Sequence, residues 1–106
     1  MTAIDPDASP ALRALRAQID ALDHELLGLL GQRMKLVAEL ARVKRSDRRK
    51  VRDSAREGEV LRDRAQVGAA QGLRADFVES VFRLVMRESR ERQASLGVET
   101  PLESAP

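Results

Sequence analysis

The sequence has no cysteine, tryptophan or tyrosine, and its only aromatic residues are Phe77 and Phe82. Without cysteine, disulfides and thiolate metal sites are excluded. With two aromatics, a core has to be assembled from Leu, Val, Ile and Ala. The single histidine, His24, lies between Asp23 and Glu25. One histidine cannot form a His-based metal constellation, and flanked by carboxylates it is expected on the solvent side of a helix. No apolar run approaches the length needed to span a bilayer. Residues 1–10 are acidic and polar, unlike a secretory signal, so the expected address is the cytoplasm.

What remains is a chain of 106 residues, 42% of them apolar, enough for one domain. A chain this short buries a modest fraction of its surface, and sharing a core with a second copy would help it. The net charge is only +2, yet Arg42, Lys44, Arg45, Arg48, Arg49, Lys50 and Arg52 crowd one stretch relieved by Asp47 alone. Such a run is either a solvated loop or a surface for an anionic partner.

Ser9 followed by Pro10 makes a good helix start, a capping hydroxyl with proline in the first turn. From there Leu12, Leu15, Ile19, Leu22, Leu26, Leu29, Leu36, Leu40 and Val43 recur at alternating steps of three and four, a heptad seam without a proline. A helix from Pro10 to Arg45 would be roughly 54 Å long. A compact monomer of this size has a radius of gyration of about 13 Å. Such a helix overhangs its own domain and leaves apolar seam exposed, which predicts an intertwined helical homodimer. A polar loop is expected over 46–51 and a second helix over 53–70, stopped by Gly72. A third helix should begin near Arg74 to Asp76, with Asp76 and Glu79 at capping-box spacing, and run to Leu96. The expected fold is all-α: three helices per chain in a domain over 10–96, between disordered ends at 1–9 and 97–106.

The informative residues break these stripes. Between Leu29 and Leu36 the seam position is Arg33, whose guanidinium costs several kcal/mol to bury unpartnered. Lys44, eleven residues on, returns to within about 20° of it, with Cα atoms about 16 Å apart. Two long cations on one face can converge on a small anion. The stripe Val78, Phe82, Val85 continues onto Ser89 and Gln93, which are polar and uncharged. In the second helix Arg56 and Glu57 precede Val60 and Leu61 by a turn and lean inward, and Asp53 shares a face with Glu57. Each feature has a plainer reading. Arg33 either snorkels or pairs with Glu57, and Ser89 and Gln93 mark a fraying helix end. Together they make an inventory for binding a dianion that carries hydroxyl groups.

In order and spacing the chain resembles the all-helical class of chorismate mutases over Leu12 to about Leu96. The resemblance rests on Leu15-Arg16, Ile19-Asp20, Leu22-Asp23, Leu26-Leu27, Gln32-Arg33, Val43-Lys44, Val51-Arg52-Asp53, Arg56-Glu57 and Glu88-Ser89 through Gln93. It implies an isomerase of phenylalanine and tyrosine biosynthesis that converts chorismate to prephenate by a concerted Claisen rearrangement, with no metal and no cofactor. Electrostatic preorganisation would carry the catalysis. By resemblance, Arg33 and Arg16 bind the substrate carboxylates, with Ser89 and Arg56 assisting. Lys44 and Gln93 contact the ether oxygen, and Glu57 and the backbone at Asp53 hold the ring hydroxyl. Arg16 precedes Arg33 by seventeen residues, about 25 Å along the axis and about 100° round. It cannot reach the same pocket from the same straight helix, but it can serve the pocket of an antiparallel partner.

Two positions depart from the family's pattern. Gly58 follows Glu57 where a helix former is usual, and Arg74 stands where an acidic residue is common. The nearest rival activity is an isochorismate pyruvate-lyase on the same fold, against which the intact Val51-Arg52-Asp53 and Ser89 argue. A nucleic-acid-binding dimer using residues 42–52 would lack stacking aromatics and leave Ser89 and Gln93 unexplained. Neither nucleic acid nor membrane is an expected partner.

Overall fold

The computed structural model describes residues 9–99, which form α1 (Pro10–Ser46), α2 (Ser54–Ala70) and α3 (Ala75–Ser95), with no strand among them. The all-α expectation holds, with α1 spanning 37 residues. Residues 1–8 and 100–106, most of the two ends expected to be disordered, lie outside the described residues. No helix among the described residues is long and apolar enough to cross a membrane. The chain divides into two units, residues 1–33 and 34–106.

In the first unit, Ser9 caps α1 as its sequence predicts. Its Oγ accepts the Leu12 N–H at 3.1 Å and its carbonyl accepts the Arg13 N–H at 3.0 Å. The seam leucines of this stretch are exposed, from 40% at Leu12 to 63% at Leu22. His24 and Arg16 are exposed too, whereas Arg33 is partly buried.

In the second unit the last turns of α1 continue the exposed seam through Leu36, Leu40 and Val43, while Val37 and Ala41 are buried. The face of α1 that packs within this unit therefore lies one residue on from the leucines, about 100° round the helix. Ala41 clusters with Val51 and Val98, and Leu96 packs against them. The Arg45 guanidinium reinforces the junction by donating to the Leu96 carbonyl at 3.0 Å. Helices α2 and α3 pack on each other, burying Val60, Val78 and Met86. Gly68 permits the close approach, since a Cβ there would stand 2.6 Å from Val78 Cγ2.

The helix ends share one closure. After α2, Gly72 takes φ +81° and the Leu73 N–H reaches back to the Gly68 carbonyl at 3.0 Å. After α3, Gly97 takes φ +89° and the Val98 N–H reaches Gln93 at 3.1 Å. After α1, Arg48 occupies the left-handed position at φ 56°, and the Arg49 N–H reaches Lys44 at 2.7 Å. All three satisfy the helix's last carbonyls in the same way, but only the arginine carries a Cβ into left-handed backbone. Two details differ from the sequence reading. The capping box at Asp76 and Glu79 does not form, because α3 starts at Ala75 with Arg74 as its cap residue. Asp76 Oδ1 instead accepts the next N–H, that of Phe77, at 2.9 Å. The packed chain also continues past Leu96: Val98 is buried, and Val51 N–H donates to the Glu99 carbonyl at 3.0 Å.

Helix α2 runs unbroken through Gly58. A Cβ there would meet only the end of the Arg62 side chain, at 3.4 Å. Gly58→Ala is therefore expected to raise stability by about 1 kcal/mol through helix propensity. Gly68→Ala should lower it by roughly 1–3 kcal/mol despite the same propensity gain, because Val78 is in the way. Urea denaturation of both variants checks the pair, and equal shifts of the same sign would contradict the close approach at Gly68.

Candidate active site

Lys44 stands in the last turn of α1, and its ammonium donates to the Val51 carbonyl at 2.7 Å. That bond uses one of three ammonium hydrogens and leaves two for a ligand. Burial holds the Lys44 pKa below the ordinary lysine range, and Arg49 pushes the same way, while Asp53 and Glu57 oppose the shift. Lys44 is thus a partly desolvated cation with two carboxylates close enough to act on it.

Asp53 caps α2 through its side chain, Oδ1 accepting the Arg56 N–H at 3.0 Å, and its carbonyl takes the Glu57 N–H at 3.0 Å. These bonds fix the first turn of α2 and with it the direction of Glu57. The Glu57 side chain is only 18% exposed and is paired at both oxygens. Arg90 NH1 donates to Oε2 at 2.7 Å, and Arg52 Nε approaches Oε1 at 3.4 Å. A cleft of about 260 Å³ opens beside this carboxylate, lined also by Arg52, Arg83, Met86, Arg87 and Arg90.

The buried stripe of α3 runs Val78, Met86, Ser89, Gln93. The apolar part of the stripe passes through Met86, where the periodicity of the valines pointed to Val85. Ser89 Oγ donates to the Val85 carbonyl one turn back at 2.9 Å. Gln93 is 4% exposed, and its Oε1 is buried without a hydrogen-bond partner. Fraying does not account for two polar residues on a well-formed, buried stretch of helix.

Arg56 does not lean inward with Glu57: its side chain is exposed and its guanidinium meets Glu59 at 3.1 Å. One residue per 100° separates the two, so α2 presents Glu57 inward and Arg56 outward. Arg16 and Arg33 belong to the first unit, whereas Lys44, Asp53, Glu57, Ser89 and Gln93 all belong to the second. Sequence reasoning did not single out Arg90. The signal was present, for Arg90 lies four residues after Met86 and three before Gln93, a charge on the same apolar stripe. Chemically, a desolvated ammonium, several guanidinium groups, one clamped carboxylate and two buried neutral hydrogen-bonding groups suit an anionic ligand with a hydroxyl.

Residues 15–94 match the family model described as chorismate mutase type II. The chain is 40% identical over 89 residues to a T-protein from Enterobacter agglomerans, covering 84% of this chain and 24% of that protein. It is 36% identical over 90 residues to the T-protein of Haemophilus influenzae, covering 85% and 24%. A bifunctional chorismate mutase/prephenate dehydratase from Escherichia coli is 38% identical over 85 residues, covering 80% and 22%. The chain spans about a quarter of the length of these relatives.

Proposed function

Since the chain belongs to the chorismate mutase type II family, we propose that it catalyses the Claisen rearrangement of chorismate to prephenate as a homodimer with shared sites. The observation that carries this reading is Gln93, a buried amide whose oxygen is unpaired on an otherwise packed helix face. Leaving such an acceptor unsatisfied costs roughly 1–3 kcal/mol, so packing alone does not explain an amide at this position. Ser89 one turn away and Lys44 in the same unit add polar groups of the kinds a hydroxylated dianion requires.

The reaction breaks one C–O bond and forms one C–C bond in a single cyclic step, with no proton transfer and no covalent intermediate. The residues need only select the folded, diaxial conformer and stabilise the charge that develops as the ether bond stretches. Lys44, using an ammonium hydrogen not spent on Val51, and Nε2 of the Gln93 amide donate to the ether oxygen. Arg33 binds one carboxylate, and Arg16 of the second copy binds the other. Ser89 assists by turning its hydroxyl away from Val85, an i−4 bond of small worth. Arg56 assists after releasing Glu59, an exposed pair that is easily broken. Glu57 and the backbone at Asp53 hold the ring hydroxyl. The exposed seam from Leu12 to Val43 supports the dimer, since apolar surface of this extent in a helix is ordinarily covered.

Purified protein is expected to consume chorismate and yield prephenate, and to leave isochorismate unchanged. Pyruvate and salicylate from isochorismate would support the rival lyase instead. For Lys44→Ala, kcat/KM should fall by at least about a hundredfold, the scale of losing one preorganised donor. A variant keeping more than about a tenth of the wild-type value would remove Lys44 from this role.

The pH profile follows from Gln93 and Lys44 together. An amide does not titrate, so kcat/KM should stay level from mildly acidic to mildly alkaline pH. Lys44 acts as the cation, and its lowered pKa means that the proton leaves before an ordinary lysine would release it. Activity should therefore fall on the alkaline side below the usual lysine range, and Lys44→Arg should move that fall upward. A rate that collapses above about pH 6 would contradict the role of the neutral amide.

A further inference from the structure

Glu57 is held from two elements at once, and the stronger hold comes from α3. The Arg90 bond is short, at 2.7 Å, and joins side chains that are only 28% and 18% exposed. Exposed ion pairs contribute little, but a charge-assisted bond between largely covered groups fixes geometry. The Arg52 contact is longer, at 3.4 Å, and its side chain is 47% exposed, so it is the weaker partner. Arg90 is also the immediate neighbour of Ser89 and lies three residues before Gln93. The same stretch of α3 therefore places the two buried polar groups and the guanidinium that holds Glu57.

We propose that Arg90 is a positioning residue: it aims the Glu57 carboxylate at the substrate's ring hydroxyl and ties that aim to the register of α3. The inference rests on the chorismate mutase reading of the site. A carboxylate offers about four lone-pair directions, and the two arginines use two of them. The carboxylate also lines the cleft, where a hydroxyl donor would meet it. Without Arg90, Glu57 keeps only the long contact to Arg52, and its rotamers widen. Arg90 itself makes no contact with the substrate in this account, which separates it from Arg33 and Lys44.

The test uses the full chain as wild type, Arg90→Ala, Arg90→Lys, Glu57→Gln and the double variant Arg90→Ala/Glu57→Gln. Circular dichroism serves as the check on folding. Arg90→Ala should lose about tenfold in kcat/KM, the scale of a displaced binding group, and Arg90→Lys should recover part of it. In the Glu57→Gln background the Arg90→Ala change should have little further effect, because the residue it acts through is already impaired. A pair of cyclic dicarboxylate inhibitors, with and without the ring hydroxyl, provides a readout that a merely structural role would not move. Arg90→Ala should weaken only the hydroxylated member. Unchanged kcat/KM in Arg90→Ala, losses that multiply in the double variant, or equal weakening of both inhibitors would each overturn the positioning role while the mutase reading stands. A wild type that leaves chorismate unconsumed would overturn both.

Discussion

Val51 ties the second unit together through three separate interactions. Its side chain is buried with Ala41 and Val98, its N–H donates to the Glu99 carbonyl, and its carbonyl accepts the Lys44 ammonium at 2.7 Å. One loop residue thus closes the small core at the end of α1, anchors the chain after α3 and holds the partly buried Lys44 ammonium. Arg45, next to Lys44, repeats the link by donating to the Leu96 carbonyl. Placement of Lys44 is therefore coupled to folding, and its partial desolvation is a consequence of the same closure. That desolvation makes it a more effective electrostatic partner for an anion than a solvated lysine would be.

The polar groups of the site are each held by a specific local device. Asp53 caps α2 and so directs Glu57, two arginines clamp the Glu57 carboxylate, and Ser89 bonds to the turn behind it. Gln93 is the exception, buried with one end unsatisfied. A site of this kind is rigid where it has to aim. Arg48, forced into left-handed backbone directly after the helix that carries Lys44, adds a second departure from local preference in the same region.

Much of the fold could be read from the sequence because its signals are local. Ser9 and Gly72 act through bonds within a few residues, and the heptad seam needs only helix periodicity. What was not legible depends on contacts between distant segments. The inward face of α1 is set by Val37 and Ala41 meeting Val51 and Val98, which no periodicity within the helix announces. The same holds for Val98, assigned to a tail although the loop carrying Val51 buries it. The polar positions Glu57, Ser89 and Gln93 stood out as breaks in apolar stripes, and all three are partly or fully buried. Arg56 broke the pattern equally well but turned outward to Glu59, because a charge beside a stripe has a choice of sides that spacing alone does not decide. Arg90 was overlooked because its partner lies on another helix, 33 residues away.

In the proposed dimer the seam left exposed on α1 is covered by a second copy, which brings its Arg16 to a site built on Lys44, Glu57, Ser89 and Gln93. Arg16→Ala and Lys44→Ala are each expected to be nearly inactive alone. A heterodimer of the two holds one site with both defects and one with neither. Turnover of chorismate by an equimolar mixture unfolded and refolded together tests this most directly. The mixture should regain about a quarter of wild-type activity, as random pairing in a two-fold dimer requires. A mixture no more active than its separate components would contradict the shared site.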